Sequence, residues 1–323
     1  MRCVAMGPFD AVSRLTLGGG GLGGVWGRTS DGEAVATVRA GVEAGINLID
    51  TAPMYRNCEQ VIREAFGGAP PPGVRVTTKC QLGGPPPKET GARLEASLDA
   101  SLEAMGLDHV DVFFLHSNIR PDGYAYARHD HNKDRFSTPW RTYVQEVVPA
   151  MEQLKSSGRI GAWGITGVGV PTAIREAISL ESPPDIVQAV ANLLDSAGGM
   201  RNFAEPALPR DIIAVAKARG LGVMGIRAVQ AGALTRALDR EIKPTHPEAI
   251  DFDRAESFRG FCRELDADPA VIAHRYVLAM DGVDTVVLGV KNRSELADCV
   301  AAEAAGPLPA DLIERIDALG LRD

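Results

Sequence analysis

The chain has 323 residues and a mass of 34.2 kDa, which is long for one average domain but within the range of a single barrel. Its 42 acidic residues exceed its 34 basic ones, and the net charge of −8 excludes a protein that neutralises nucleic-acid phosphates over a broad surface. No apolar run reaches the length that crosses a bilayer, the first ten residues lack a signal-peptide pattern, and the five cysteines are scattered. We therefore expect a cytoplasmic protein with reduced thiols that binds neither nucleic acid nor membrane.

Short apolar runs alternate with longer stretches of helical spacing from one end of the chain to the other. The predicted strands are Leu15–Gly19, Ile46–Asp50, Arg75–Lys79, Val110–His116, Ile160–Thr166, Ile186–Val190, Gly222–Ile226 and Thr285–Gly289. The predicted helices include Glu33–Ala44, Lys88–Met105, Thr142–Ser156, Pro209–Ala218, Ala270–Met280 and Ser294–Ala304. Ser30 and Asn57 each begin a capping-box pattern, and Gly158 and Gly220 stand where a helix commonly ends.

Strict alternation of strands and helices predicts a parallel sheet that is covered by helices. Eight such units fit a closed (β/α)8 TIM barrel, and we expect one domain over residues 1–323 because no linker divides the chain. Two connections are longer than the others: Ser117–Pro139 follows the fourth strand and Arg227–Asp251 follows the seventh. In a barrel both lie at the carboxyl ends of the strands, so they are expected to shape a substrate pocket.

A run of six glycines and one leucine, Gly18–Gly24, satisfies the GxGxxG pattern of dinucleotide-binding Rossmann folds in two registers. That pattern requires a helix to open at its last glycine, where backbone N–H groups face the pyrophosphate. Here the next helix begins only at Ser30. The sequence instead predicts a flexible loop that leaves room beside a ligand, with Gly24 near the cofactor.

Three consecutive predicted strands end in ionisable side chains, namely Asp50, Lys79 and His116, and Tyr55 follows the first of them by one short turn. Neighbouring strands of a barrel bring such residues to one opening. A carbonyl that receives a hydride develops negative charge on its oxygen and needs a proton donor there. Tyr55 can donate that proton, an ammonium beside it is expected to lower its pKa, and a neutral His116 can orient the substrate oxygen.

This set of residues, in this order, resembles the aldo-keto reductase superfamily. The resemblance continues through the segments 158–166, 187–188, 222–224 and 287–291, and so covers nearly the whole chain. It implies a (β/α)8 barrel that uses NADPH, without a Rossmann domain, to reduce aldehydes and ketones or to oxidise alcohols and sugars. The resemblance also assigns Tyr55 as the general acid, Lys79 as the residue that tunes its pKa, Asp50 as the partner of Lys79, and His116 as the orienting residue.

The resemblance further implies how the cofactor is held. Thr166 and Gln188 match the residues that hold the nicotinamide carboxamide, although Gly167 replaces the usual asparagine. Ile226 takes the place of an aromatic side chain on the nicotinamide, and Arg227 is expected near the pyrophosphate.

The adenosine end of the cofactor is expected beyond the eighth strand. Gly289 opens a helix start whose basic residues Lys291 and Arg293 would approach a 2′-phosphate, and Asp298 lies near the adenosine. These cations favour NADP over NAD as the cofactor, with NAD left as an alternative.

The long connection after His116 contains aromatic residues that suit a lid over an organic substrate. Tyr124 and Tyr126 are the expected substrate contacts there, together with Trp26 from the first loop. The segment His129–His131 lacks a third ligand at a fixed spacing, so no metal site is expected.

We therefore expect an NADP(H)-dependent oxidoreductase that acts on a small carbonyl or alcohol substrate. A nucleotide-binding regulatory or scaffold protein of the same fold is the main alternative, favoured mildly by Gly167 and Ile226. A lyase or epimerase that forms a Schiff base on Lys79 is a further alternative.

Overall fold

The computed structural model describes residues 1–322 of the chain and contains a closed barrel of eight parallel strands. The strands, numbered through the chain, are β1 (Cys3–Met6), β2 (Phe9–Ser13), β3 (Leu15–Gly18), β4 (Leu48–Asp50), β5 (Arg75–Cys80), β6 (Val110–Leu115), β7 (Asn118–Arg120), β8 (Ser137–Pro139), β9 (Ile160–Thr166), β10 (Ile186–Val190), β11 (Gly222–Ile226) and β12 (Thr285–Leu288). The barrel runs in the order β3, β4, β5, β6, β9, β10, β11, β12, and β12 pairs with β3 to close it. All eight predicted barrel strands are present, so the predicted TIM barrel is confirmed.

Helices cover the outside of the barrel. The longer ones are α1 (Asp31–Glu43), α2 (Cys58–Phe66), α3 (Thr90–Met105), α4 (Val148–Ser156), α5 (Pro171–Ala177), α6 (Pro209–Ala218), α7 (Pro247–Arg254), α8 (Glu256–Glu264), α9 (Pro269–Ala279), α10 (Arg293–Ala304) and α11 (Ala310–Asp317). Shorter helical segments are Gly19–Leu22, Pro87–Glu89, Asp130–Asn132, Lys133–Phe136, Trp140–Thr142, Gly198–Met200 and Gln230–Gly232, and a π-helical turn, Tyr143–Val147, precedes α4. No helix within residues 1–322 is long and apolar enough to span a membrane.

The interior of the barrel is apolar at one end and polar at the other. The hairpin of β1 and β2 is antiparallel, and its side chains Met6 and Val12 pack with Leu48, Phe114 and Met224 to fill the amino end. Burial of this apolar surface favours folding by about 25 cal/mol per Å². The charged residues of the barrel interior therefore lie at the carboxyl ends of the strands.

Both long connections that the sequence predicts lie at that carboxyl end. The connection after β6 contains β7 and β8, which pair in parallel as a separate two-stranded sheet. The connection after β11 leads into α7 through three residues with left-handed backbone, Arg227, Gln230 and Ala231. Such strain is uncommon outside glycine and indicates a locally over-determined structure.

The helix caps agree only in part with the predicted patterns. Gly158 and Gly220 follow their helices with φ of +76°, as expected, and the hydroxyl of Ser30 accepts from the backbone N–H of Glu33. Asn57 is the N-cap residue of α2 as predicted, but its side chain forms no capping hydrogen bond and donates instead to the Asp31 carboxylate. Glu33 does not complete its capping box either, since its carboxylate binds Arg293.

The glycine run is not the flexible loop that the sequence predicts. Residues 19–22 form a short helical turn wedged between the ends of three barrel strands. A Cβ atom on Gly21 would lie 2.1 Å from the carbonyl oxygen of Val290, and one on Gly23 would lie 1.9 Å from that of Tyr55. Only glycine fits at these two positions, because a side chain would collide with a neighbouring backbone carbonyl. The space beside their Cα atoms is thus filled by protein backbone.

Candidate active site

A buried ion pair joins the ends of the neighbouring strands β4 and β5. Lys79 is fully buried, and its Nζ donates to Oδ2 of Asp50 at 2.7 Å and to the carbonyl oxygen of Thr51 at 2.8 Å. Asp50 is the last residue of β4, and the register of β4 on β5 sets it opposite Thr77. An ammonium without solvent needs this partner, because an isolated buried charge is very costly.

The second oxygen of Asp50 is held from two sides. Its Oδ1 accepts from the hydroxyl of Thr77 at 2.9 Å and from Nε2 of Gln188 at 2.6 Å. Gln188 lies on β10, four strands from β4 in either direction round the barrel, so this bond spans the barrel interior. The structure thus places Gln188 against the ion pair, and its amide N–H is already used there.

Tyr55 stands over the ion pair with its ring half-buried. The Nζ atom of Lys79 lies 4.7 Å from the centre of the Tyr55 ring, and the ring of His116 meets the Tyr55 ring edge-on with centres 5.8 Å apart. All four residues named from strand ends are therefore brought to one opening at the carboxyl end of the barrel.

Two opposing effects act on the pKa of Tyr55. Burial is the larger effect and raises the pKa of this phenol above its usual value, whereas Lys79 lowers it, as the sequence leads us to expect. Removal of water from a phenolate costs free energy. Lys79 offsets only part of that cost, because Asp50 already neutralises the charge of its ammonium. Tyr55 is consequently protonated at neutral pH, which is the state that can donate.

His116 directly follows β6 and is uncharged at neutral pH. Burial lowers its pKa to about 3, and the nearby Lys79 acts in the same direction. Its Nδ1 atom is buried and has no hydrogen-bond partner within residues 1–322. A neutral imidazole carries one donor and one acceptor nitrogen, so His116 can hydrogen-bond a polar group of a ligand.

Lys79 itself stays protonated. Burial alone would lower the pKa of this ammonium, but Asp50 and Tyr55 outweigh burial and raise it. A nucleophilic lysine needs a lowered pKa. The Schiff-base alternative is therefore disfavoured.

Thr166 and Ile226 end two barrel strands on the other side of the opening. Thr166 is the last residue of β9 and pairs in register with Gln188, and its hydroxyl is buried with no hydrogen-bond partner among the described residues. Ile226 ends β11 and is half-buried. An unpartnered hydroxyl and an apolar side chain at the ends of two strands of one opening fit an amide-bearing aromatic ring, so the residues present are suited to the nicotinamide of a dinucleotide.

Arg227 does not face the opening as the sequence suggests. Its guanidinium is buried, donates to Glu248 at 2.7 Å and donates through Nε to Oε1 of Gln230 at 2.7 Å. The left-handed backbone at Arg227, with φ of +63°, directs the side chain into this network. The donors expected for a pyrophosphate are thus satisfied within the protein.

Lys291 and Arg293 flank the start of α10, as expected, but each is paired with carboxylates. Lys291 contacts Asp239 at 2.7 Å and Glu295 at 3.0 Å, and Arg293 contacts Glu33 at 2.9 Å. Asp298 is exposed on the same helix, and Gly289 lies under the indole of Trp26.

Two of the remaining predicted positions lie around the first loop. Gly24 has φ of +72° and borders a cavity of about 260 Å³ with Arg28 and Arg56. The indole of Trp26 packs over Gly20 and Gly289, so it covers the junction of β3 and β12.

The tyrosines of the long connection separate in the structure. Tyr124 is half-buried, and its hydroxyl hydrogen-bonds to Glu205 of the connection after β10 at 2.5 Å. Tyr126 is buried, and its ring packs against that of Phe136. Contact of Tyr126 with a substrate stays a prediction.

Several residues at the site were not found by sequence reasoning. Thr77 donates a hydrogen bond to Asp50, and Glu205 accepts one from Tyr124. The other missed residues are the carboxylates that pair with the cations, namely Glu33, Asp239 and Glu248. Thr77 could have been found from the strand pairing, since it lies opposite Asp50. Glu33 and Glu248 lie on α1 and α7, and Glu205 and Asp239 lie in connections; all four meet partners far away in the chain, which no sequence spacing indicates.

Comparison with known proteins identifies the family of the chain and agrees with its fold. The profile of the aldo/keto reductase family matches residues 14–320. L-galactose dehydrogenase of Arabidopsis thaliana is 26% identical over 90% of this chain and 84% of its own length. NADH-specific methylglyoxal reductase of Escherichia coli is 24% identical over 94% and 93%. An aldo-keto reductase of Bacillus halodurans, solved in its holo form, superposes with a TM-score of 0.73 at 23% identity, covering 99% of this chain and 96% of its own.

Proposed function

The chain belongs to the aldo/keto reductase family of nicotinamide-dependent oxidoreductases, and we propose that it transfers a hydride between a nicotinamide dinucleotide and a small carbonyl or alcohol compound. The substrate class is aldehydes, ketones or sugars. The five cysteines are free thiols, which suits a cytoplasmic enzyme.

One observation carries this proposal: the buried pair of Lys79 and Asp50 lies beneath a protonated Tyr55 and beside a neutral His116. A hydride that arrives at a carbonyl carbon leaves charge on the oxygen, which must then receive a proton. A phenol above a fixed ammonium meets that need, since the ammonium stabilises the phenolate that forms.

Each residue then has a distinct role. Tyr55 donates its hydroxyl proton to the substrate oxygen in reduction and takes it back in oxidation. Lys79 stabilises the phenolate, and Asp50 keeps Lys79 charged and in place through a bond of 2.7 Å. His116, uncharged because burial lowers its pKa to about 3, hydrogen-bonds the substrate oxygen and holds it near Tyr55.

A bound nicotinamide supplies or accepts the hydride. Thr166, with its unpartnered buried hydroxyl, and Ile226, at the end of β11, would hold this ring beside the opening.

Substitution of Tyr55 by phenylalanine tests the proposal. We expect turnover to fall by about 10²–10⁴-fold while the dinucleotide still binds, because only the proton donor is removed. Turnover is followed by the absorbance of the reduced nicotinamide with a panel of aldehydes, ketones and sugars. Tyr276→Phe is the matched control, since Tyr276 belongs to α9 outside the barrel and its loss should leave turnover unchanged. Undiminished turnover of Tyr55→Phe would refute the assigned acid.

A regulatory or scaffold protein remains the second candidate, favoured by Gly167 in place of an amide side chain and Ile226 in place of an aromatic ring. It predicts that the dinucleotide binds but that no carbonyl compound in the panel is reduced by the unmodified chain. The intact set of Asp50, Tyr55 and Lys79 weighs against it.

A further inference from the structure

The start of α10 has the features of an anion-binding site, yet the chain already fills it with its own carboxylates. The backbone N–H of Arg293 donates to Oε1 of Glu33, and that of Lys291 donates to Oε2 of Glu295, both at 2.9 Å. The N–H of Glu295 is capped by the side chain of Asn292 at 2.9 Å. Two N–H groups of the first helical turn, those of Arg293 and Glu295, and the N–H of Lys291 just before the helix are thus already bound within the chain.

The two basic side chains at this helix start are also paired with carboxylates. The guanidinium of Arg293 binds both oxygens of Glu33, through Nε at 3.1 Å and Nη2 at 2.9 Å. The ammonium of Lys291 lies between Asp239 at 2.7 Å and Glu295 at 3.0 Å.

Three carboxylates therefore face two cations at this place. Arg240 contacts Asp239 at 3.0 Å and makes the number of cations equal to that of these carboxylates. Asp298, exposed one turn along α10, adds one more negative charge. A 2′-phosphate adds about two negative charges, so it would have to displace these carboxylates and leave them close by. A ribose hydroxyl needs no such displacement, because it can donate a hydrogen bond to a carboxylate.

We infer that the chain binds NAD(H) in preference to NADP(H), with Glu33, Asp239 and Glu295 rejecting the 2′-phosphate. The inference rests on the proposed function, since it presupposes that a dinucleotide reaches from the barrel opening to the start of α10. This preference differs from the NADP cofactor that the sequence analysis favours on the basis of Lys291 and Arg293. Acidic side chains that accept from a ribose 2′-hydroxyl distinguish the two dinucleotides in other folds by the same chemistry.

Isothermal titration calorimetry with the full chain tests the inference without reference to turnover. We expect NADH to bind at least about tenfold more tightly than NADPH, because the doubly charged 2′-phosphate would lie close to the carboxylates that it displaces. In the same way 5′-AMP should bind at least as tightly as adenosine 2′,5′-bisphosphate. NADPH binding as tight as or tighter than NADH would overturn the inference.

Variants locate the cause. Glu33→Gln releases Arg293 and keeps the Ser30 cap, so the ratio of the NADPH Kd to the NADH Kd should fall about two- to fivefold. Glu43→Gln makes the same charge change at the exposed far end of α1 and should leave the ratio unchanged. An unchanged ratio in Glu33→Gln would overturn the inference that Glu33 rejects the 2′-phosphate.

The outcomes separate the two proposals. NADH binding without reduction of any carbonyl compound would refute the proposed function and leave the nucleotide preference standing. Turnover with NADPH together with weaker NADH binding would refute the preference alone. Absence of binding by either dinucleotide would refute both.

Discussion

Replacement of Asp50 by asparagine tests whether Lys79 is a buried charge held by a single carboxylate. Asparagine keeps the size of the side chain and an oxygen for Thr77, but it removes the negative charge 2.7 Å from Nζ. Removal of one partner from a buried pair costs about 3–5 kcal/mol, because the remaining charge is left uncompensated. We expect the free energy of unfolding at neutral pH to fall by about that amount.

The pH dependence of the loss identifies its cause. In the unmodified chain Asp50 and Tyr55 outweigh burial and raise the pKa of Lys79. The charged Lys79 therefore contributes its full stabilisation below the pKa of an unfolded lysine, and this stabilisation is lost as the pH rises through the pKa of folded Lys79. Without Asp50, burial dominates and lowers the pKa of Lys79. The folded variant then binds fewer protons than the unfolded chain, and its stability rises with pH by up to about 1.4 kcal/mol per unit.

Urea unfolding followed by circular dichroism between pH 7 and about 9.5 measures this difference, because the unfolded lysine titrates near 10.4. Asp50→Asn should regain stability over that range, whereas the unmodified chain should not. The matched control is Glu89→Gln, which breaks an exposed pair with Arg93 and should cost less than about 0.5 kcal/mol.

A double variant completes the test. Lys79→Met in the Asp50→Asn background removes the stranded ammonium, so most of the lost stability should return. Parallel pH profiles of Asp50→Asn and the unmodified chain, or a double variant as unstable as the single one, would refute the argument that Lys79 is a buried charge.

Two further variants probe His116 and the glycine run. The pKa of His116, lowered by burial to about 3, lies below its unfolded value near 6.5, so its stabilisation is present above pH 6.5 and is lost as pH falls toward 3. His116→Gln should flatten that part of the acid unfolding curve, and an unchanged curve would contradict the burial of a neutral imidazole. Gly21→Ala should cost more than about 3 kcal/mol in urea unfolding, since its Cβ would lie 2.1 Å from the Val290 oxygen. Gly32→Ala, whose Cβ meets nothing within 4 Å in α1, should stabilise the chain by up to about 1 kcal/mol, and equal effects of the two changes would exclude the packing argument.

The barrel and the cluster at its opening were predictable because both depend on short-range patterns. Each strand is a local apolar run, and a parallel topology collects the strand ends at one edge. Asp50, Lys79 and His116 stand at or directly after the ends of β4, β5 and β6, so strand order alone brings them together. Their protonation could not be predicted in the same way. The pKa of Tyr55 depends on how much water the surrounding loops exclude, and that property has no local pattern.

The partners of the cations were not predictable, because they lie far apart along the chain. Glu33 and Arg293 are separated by 260 positions, and Asp239 and Lys291 by 52. Sequence reasoning identified both cations correctly as groups at a helix start. It assigned them to a phosphate because it had no means of locating the carboxylates that arrive from α1 and from the connection after β11.

Arg227 shows how backbone conformation decides which of two chemically reasonable roles a side chain takes. With ordinary backbone angles an arginine just after β11 would extend toward the opening, as the sequence suggests. A left-handed conformation at a residue other than glycine costs about 1 kcal/mol or more, and here it occurs at three of five consecutive residues, 227–231. The buried pair with Glu248 and the bond to Gln230 offset that cost and hold the turn in one shape. Release of Arg227 from this turn would leave the buried carboxylate of Glu248 with only the N–H of Gly199 and the ring of His246 as partners, so the turn favours Arg227 in its present network.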